Sequence, residues 1–226
     1  VFGASVAMDF ELEMAFITTK GKALGESIST EEAWDHIFGF VIFNDWTARD
    51  IQKWEYVPLG PFLGKSFASA VSPWIVTPEA LEAFKVAGPA QEPEVLPYLK
   101  QKGRNNLDVG LEVSIEANGS ETVVCNSNMK YLYWSPAQQL AHHTVNGCNV
   151  RAGDMMASGT ISGPDEGSFG SMLELSWAGS KEISLKDGSK RTYLKDHDTV
   201  VMRAFAKNDN YRIGFGEVRT KLLPAK

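Results

Sequence analysis

Short alternating runs cut by turn dipeptides most constrain what this chain can fold into. Leu107 to Ala117 alternates apolar with polar residues. Asn118-Gly119 is a hairpin turn that leads into Glu121 to Asn126. Asp187-Gly188 is a second hairpin signal and Asn208-Asp209-Asn210 a further loop, so Ile183 to Leu223 reads as successive strands. Helical patterns are few and short, and regular strand–helix–strand alternation is missing. The expected class is α+β, mainly β, with antiparallel or mixed sheets. Residues 1–226 read as a single domain.

Composition enters as a set of bounds. Among 226 residues, 43% are hydrophobic and 22% charged, which allows a sizeable core. A formal net charge of −6 argues against a general nucleic-acid partner, although a local patch can still attract an anion. No apolar run approaches a membrane span, so no membrane partner is expected. Two cysteines, Cys125 and Cys148, make neither a disulfide framework nor a metal quartet and are expected as buried thiols, which suits a cytoplasmic setting. The opening residues, Val1 to Ser5, carry no signal-peptide pattern, and the sequence reads as if it begins in mid-domain.

Val6 to Ile17 carries a period of two, with Phe10, Leu12, Met14 and Phe16 alternating against Asp9, Glu11, Glu13 and Ala15. On such a strand Glu11 and Glu13 share a face, their Cα atoms about 6.5–7 Å apart. Adjacent like charges repel unless a positive group lies between them. The face is either plainly solvated or binds a divalent cation, which prefers carboxylate oxygens.

The apolar run Ile37 to Phe43 ends at Asn44-Asp45, and a short helical pattern follows to Tyr56. At about 100° per residue, Asp45, Arg49, Gln52 and Tyr56 fall within roughly 60° of one another. Thr47, Ile51 and Trp54 fall opposite and are expected to pack inward. The polar stripe reads as a wet helix face with an Asp45–Arg49 pair, or as a functional surface. Upstream, Ser29 to Glu32 forms a capping box for a short helix through Phe38. The Pro58 to Ser66 loop resembles a phosphate loop, but Gly60 and Gly64 enclose three residues where that motif needs four. Lys65 remains a cation on a stiff loop, facing either a site or water.

Thr77-Pro78 opens another short helix, and Ala87 to Gly103 reads as a long surface connection. Ser135 to Gln138 is a second capping box, for a helix that runs to Asn146 and stops at Gly147. His142 and His143 point about 100° apart on it and cannot easily bind one metal, so capping or core roles are expected. His36 and His197 look similarly isolated. Gly159 to Gly170 is a loop of small residues, and Ser171 to Trp177 reads as a strand containing Glu174.

Several blocks together resemble the fumarylacetoacetase family: Met8 to Phe16, Asn44 to Ser66, Ala141 to Asn149, Ser158 to Gly163, Ser171 to Trp177 and Tyr211 to Gly216. The resemblance runs from end to end. It implies a β-roll of mixed sheets with several short helices, working as a homodimer in the cytoplasm. It also implies hydrolysis of a carbon–carbon bond in a small β-diketo acid, 4-fumarylacetoacetate, giving fumarate and acetoacetate in the last step of tyrosine catabolism. By the same resemblance Glu11, Glu13 and Asp45 hold Ca²⁺ or Mg²⁺, with Asp45, Lys65 and Ser69 near a second ion. Arg49, Gln52, Tyr56 and Thr160 contact substrate, while Arg49, Gln52 and Lys65 face the developing oxyanion. Glu174 orients the catalytic histidine.

The family places one metal-binding aspartate and its histidine base upstream of the Glu-x-Glu strand. Ten residues precede Glu11 and none is His, so the expectation is an N-terminally incomplete catalytic domain that does not turn over alone. Two other readings stand beside it: decarboxylation or hydration of a related oxo-acid, and metal binding without turnover.

Overall fold

The computed structural model describes residues 1–226. Its strands begin with β1 (Met8–Asp9), β2 (Leu12–Thr18), β3 (Ile37–Asp45), β4 (Thr47–Ala48) and β5 (Ser69–Val71). They continue through β6 (Lys85–Val86), β7 (Asn106–Leu107), β8 (Gly110–Ala117), β9 (Ser120–Asn128) and β10 (Met155–Ala157). The last are β11 (Ile183–Ser184), β12 (Lys190–Arg191), β13 (Thr199–Lys207) and β14 (Arg212–Lys221). Four short α-helices interrupt them: α1 (Arg49–Glu55), α2 (Pro78–Leu81), α3 (Pro136–Thr144) and α4 (Met172–Leu175).

Two four-stranded sheets carry the fold, in the orders β10-β2-β3-β5 and β14-β13-β8-β9. Every strand pair is antiparallel, so the α+β, mainly β class holds with antiparallel rather than mixed sheets. β3 lies against β13 and β14, which packs the two sheets on each other. Phe10, Phe40 and Phe215 are fully buried there. Phe40 meets Phe16 edge-on at 6.4 Å and Trp34 at 6.0 Å between ring centres. The Asn118-Gly119 turn joins β8 to β9, with Asn118 and Gly119 both at positive φ as such a turn requires.

Local signals locate most turns and caps, while tertiary packing changes several elements. The Ser29–Glu32 capping bonds form, but the helix shrinks to a 3₁₀ turn at Ala33–His36 because Ile37 already pairs with Thr18. The Ser135 capping box opens α3 as expected. Ser171 to Trp177 is not a strand: Ser171 Oγ accepts from the Glu174 amide and caps α4. Trp54 is 89% exposed rather than packed inward, and Ile51 is only half-buried, whereas Thr47 is buried. Cys125 is buried and Cys148 exposed.

Removing the Phe40 ring should leave a cavity under both sheets. Phe40→Ala is expected to lower the unfolding free energy by about 3–5 kcal/mol, read from the midpoint of a urea titration.

Candidate active site

β2 and β3 run antiparallel with Leu12 opposite Asn44 and Glu13 opposite Phe43. The Asp45 amide donates to the Glu11 carbonyl at 3.2 Å, so the ladder sets Glu11 beside Asp45. Asp45 therefore ends a strand and does not sit on the helix. The sequence-predicted stripe of Asp45, Arg49, Gln52 and Tyr56 breaks at this point, and the Asp45–Arg49 pair does not form. α1 begins only at Arg49, after β4 has turned the chain.

The acids still converge. Oxygens of Glu11, Glu13 and Asp45 lie within 4.8 Å of one another. Lys65 Nζ bridges two of them, at 2.5 Å from Glu11 Oε2 and 2.9 Å from Asp45 Oδ2. Arg49 Nη1 forms an ion pair with Glu11 Oε1 at 2.8 Å, and Arg49 Nε donates to Asp9 Oδ2 at 2.8 Å. Arg49 Nη1 also lies 3.0 Å from Gln52 Oε1. Lys65 thus faces the acids rather than open water. Ser69 lies opposite Asp45 in the β3–β5 pairing.

Glu13 is the least compensated of the group. It is 2% exposed, and its only hydrogen bond comes from the Gly159 amide at 2.9 Å. Burial, then the charges of Asp45 and Glu11, push its carboxyl up to about 8. If all are ionised, Asp9, Glu11, Glu13 and Asp45 set four negative charges against two positive ones, leaving an excess of two. Three clustered carboxylates with that excess fit a hard divalent cation held by Glu11, Glu13 and Asp45.

Beside the acids an open cleft of about 710 Å³ is lined by Arg49, Gln52 and Tyr56 from α1 and its end, with Leu173 and Tyr193 opposite. Thr160 lies between Gly159, bonded to Glu13, and Ile161, whose amide donates to the Leu12 carbonyl. Glu174 Oε2 accepts from Ser162 Oγ at 2.8 Å and Ser171 Oγ at 2.9 Å, so its partners are hydroxyls and not a histidine. Three of the four histidines, His142, His143 and His197, are exposed rather than buried, and the half-buried His36 sets Nδ1 2.9 Å from the Lys20 carbonyl. His142 stacks on Tyr98, and His143 lies 3.7 Å from Cys148 Sγ.

The Gly/Pro loop is no phosphate cradle. The Glu55 carboxylate accepts from the amides of Phe62, Leu63 and Gly64 at 2.6–3.0 Å, so an internal anion fills the nest. A Cβ on Gly64 would stand 2.8 Å from the Gln52 amide nitrogen, so glycine lets the Lys65 loop close on α1.

One site residue was overlooked in the sequence. Asp9 is fully buried and bonds Arg49 as well as the amides of Met172 at 2.7 Å and Leu173 at 2.9 Å. Its signal was present in the alternation, which sets Asp9 in the same odd series as Glu11 and Glu13.

The fumarylacetoacetate hydrolase C-terminal family matches residues 3–223. The chain is 54% identical to human fumarylacetoacetase over 227 residues, covering 100% of this chain and 54% of the human protein. The chain belongs to the fumarylacetoacetate hydrolase family. Fumarylacetoacetase from Oryza sativa is also 54% identical, over 99% of this chain and 52% of the rice protein. The chain spans about half the length of the curated relatives it matches. A fumarylacetoacetate hydrolase from Exiguobacterium antarcticum shares the fold at a TM-score of 0.58 and 22% identity, over 98% of this chain and 58% of the other. A yeast member of the family, ynq8, does so at 0.62 and 18% identity, over 97% and 68%. No helix is long and apolar enough to cross a membrane.

The raised Glu13 carboxyl gives a pH test of this site. The folded chain keeps a proton that the unfolded chain releases near its ordinary value of 4.5. Stability of metal-free protein should therefore fall as pH rises from 4.5 to about 8, by on the order of 5 kcal/mol, then level off. Glu13→Gln should flatten that slope in urea titrations of chelator-treated protein.

Proposed function

We propose that the complete protein hydrolyses the carbon–carbon bond of 4-fumarylacetoacetate, releasing fumarate and acetoacetate. The observation that carries this reading is the convergence of Glu11, Glu13 and Asp45 with Lys65 and Arg49, the last of which also lines a cleft with Gln52 and Tyr56. The end-to-end identity with fumarylacetoacetases supports it.

The residues divide the chemistry among them. Glu11, Glu13 and Asp45 hold Ca²⁺ or Mg²⁺, with Lys65 and Ser69 beside Asp45 near a second ion. When bound, the ion supplies positive charge to the paired oxygens of a β-diketone and to the enolate that leaves. Tyr56 and Thr160 bind the acid substrate. Arg49, Gln52 and Lys65 present donors to the oxyanion that forms when water adds to the carbonyl. Such donors act without reorganisation only if they are already fixed, and the ion pairs of Arg49 and Lys65 support that role. Glu174 fixes the orientation of a catalytic base.

A cytoplasmic homodimer is the setting of this proposal. Exposed Leu59, Phe62, Leu63 and Trp54 around the loop after α1 support an apolar contact between copies.

Two measurements test the reading. In calorimetry, Ca²⁺ or Mg²⁺ should give binding heat that Glu11→Gln abolishes; unchanged heat removes the ion from these acids. In the full-length enzyme, Arg49→Ala and Lys65→Ala should each depress kcat by about 10²–10³-fold on fumarylacetoacetate, with smaller effects on KM. A change confined to KM, or faster turnover of oxaloacetate than of fumarylacetoacetate, would overturn the assignment.

A further inference from the structure

Arg49 is the one side chain that touches the acid cluster, α1 and the substrate cleft together. Its Nη1 reaches Glu11 and Gln52, and the side chain also lines the cleft. A long side chain with such divided duties holds one geometry only if its Nε end is fixed. Asp9 Oδ2 accepts a hydrogen bond from Arg49 Nε–H at 2.8 Å.

Asp9 is itself held from two sides. β1 pairs with β4, setting Asp9 opposite Thr47 and close to the start of α1. Its oxygens also accept from the amides of Met172 and Leu173 at 2.7 and 2.9 Å. Those amides open the segment in which Ser171 and Ser162 fix the Glu174 carboxylate. A carboxylate with no solvent exposure is costly unless its lone pairs are filled, and here one cation and two amides fill them. Asparagine cannot reproduce the arrangement. It has a single acceptor oxygen, and its amide nitrogen would face an N–H donor.

We propose that Asp9 is a positioning residue, which aims the Arg49 guanidinium and locks it to the segment carrying Glu174. The role rests on the proposed duty of Arg49 toward substrate. It reaches beyond the acids that hold the ion, because Asp9 faces Arg49 and two amides instead.

The test uses full-length protein with fumarylacetoacetate as substrate and the Arg49 Nε–H proton as a second readout by nitrogen-15 NMR. Asp9→Asn should lower kcat by about 10–100-fold with a smaller change in KM, and should move the Nε–H signal toward that of a free guanidinium. The double variant Asp9→Asn with Arg49→Lys should be within about twofold of Arg49→Lys alone, since one pathway is already broken. Losses that multiply, or unchanged turnover in Asp9→Asn, overturn the proposal. Should Asp9→Asn not fold, the wild-type signal decides: a slowly exchanging, downfield Nε–H supports the clamp, and a fast-exchanging one refutes it. If Arg49→Lys turns over normally, the substrate role of Arg49 fails. The Asp9 clamp is then judged by the Nε–H signal alone.

Discussion

Like charges forced together away from water govern this molecule. Glu11, Glu13 and Asp45 place their oxygens within 4.8 Å of one another on buried or half-buried backbone. Such a group is tolerable only when positive charge enters it. Arg49 and Lys65 enter from two different segments, and Lys65 spans two of the acids by itself. The remaining negative excess is what suits the site to a divalent cation. The proposed affinity for a cation and the raised Glu13 carboxyl therefore share one electrostatic origin.

The rest of the fold makes that crowding possible. β2 and β3 are joined by backbone hydrogen bonds along most of their length, so the acids cannot relax apart by sliding. The second sheet covers β3 and keeps water from the strand. Loop backbone is secured by side chains: Glu55 takes three amides of the Lys65 loop, and Asp9 takes two at the start of α4. Each anion satisfies donors that would otherwise invite a ligand, which leaves the acid cluster as the place for a cation. Short helices serve here as brackets that end strands and present single side chains, rather than as packing layers.

Much of this was legible locally. The hairpin turns at Asn118-Gly119 and Asp187-Gly188 stand where their residues demand, because positive φ is a local steric preference. The Ser135 capping box is likewise a contact between neighbours in sequence. Period-two alternation identified Glu11 and Glu13 as sharing a face, and their proximity to Asp45 holds. Ser171 to Trp177 misled because its apolar spacing is too short to separate a strand from one turn of helix. The Asp45–Arg49 pair misled for another reason. Helical spacing was extended back across β4, where the chain turns, so Arg49 met Asp9 and Glu11 instead.

The amino-acid sequence alone determined the mainly β class, most turns and caps, and the acids and cations able to build a site, since these depend on residue type and on neighbours a few positions away. Tertiary structure alone decided which cation meets which acid, and that Asp9 belongs to the group. Those outcomes depend on strand register and on segments far apart in the chain, such as Asp9 with Met172 and Glu11 with Lys65. Spacing in one dimension carries no information about which buried charges will be brought within a few ångströms, and Coulomb energy depends on that distance.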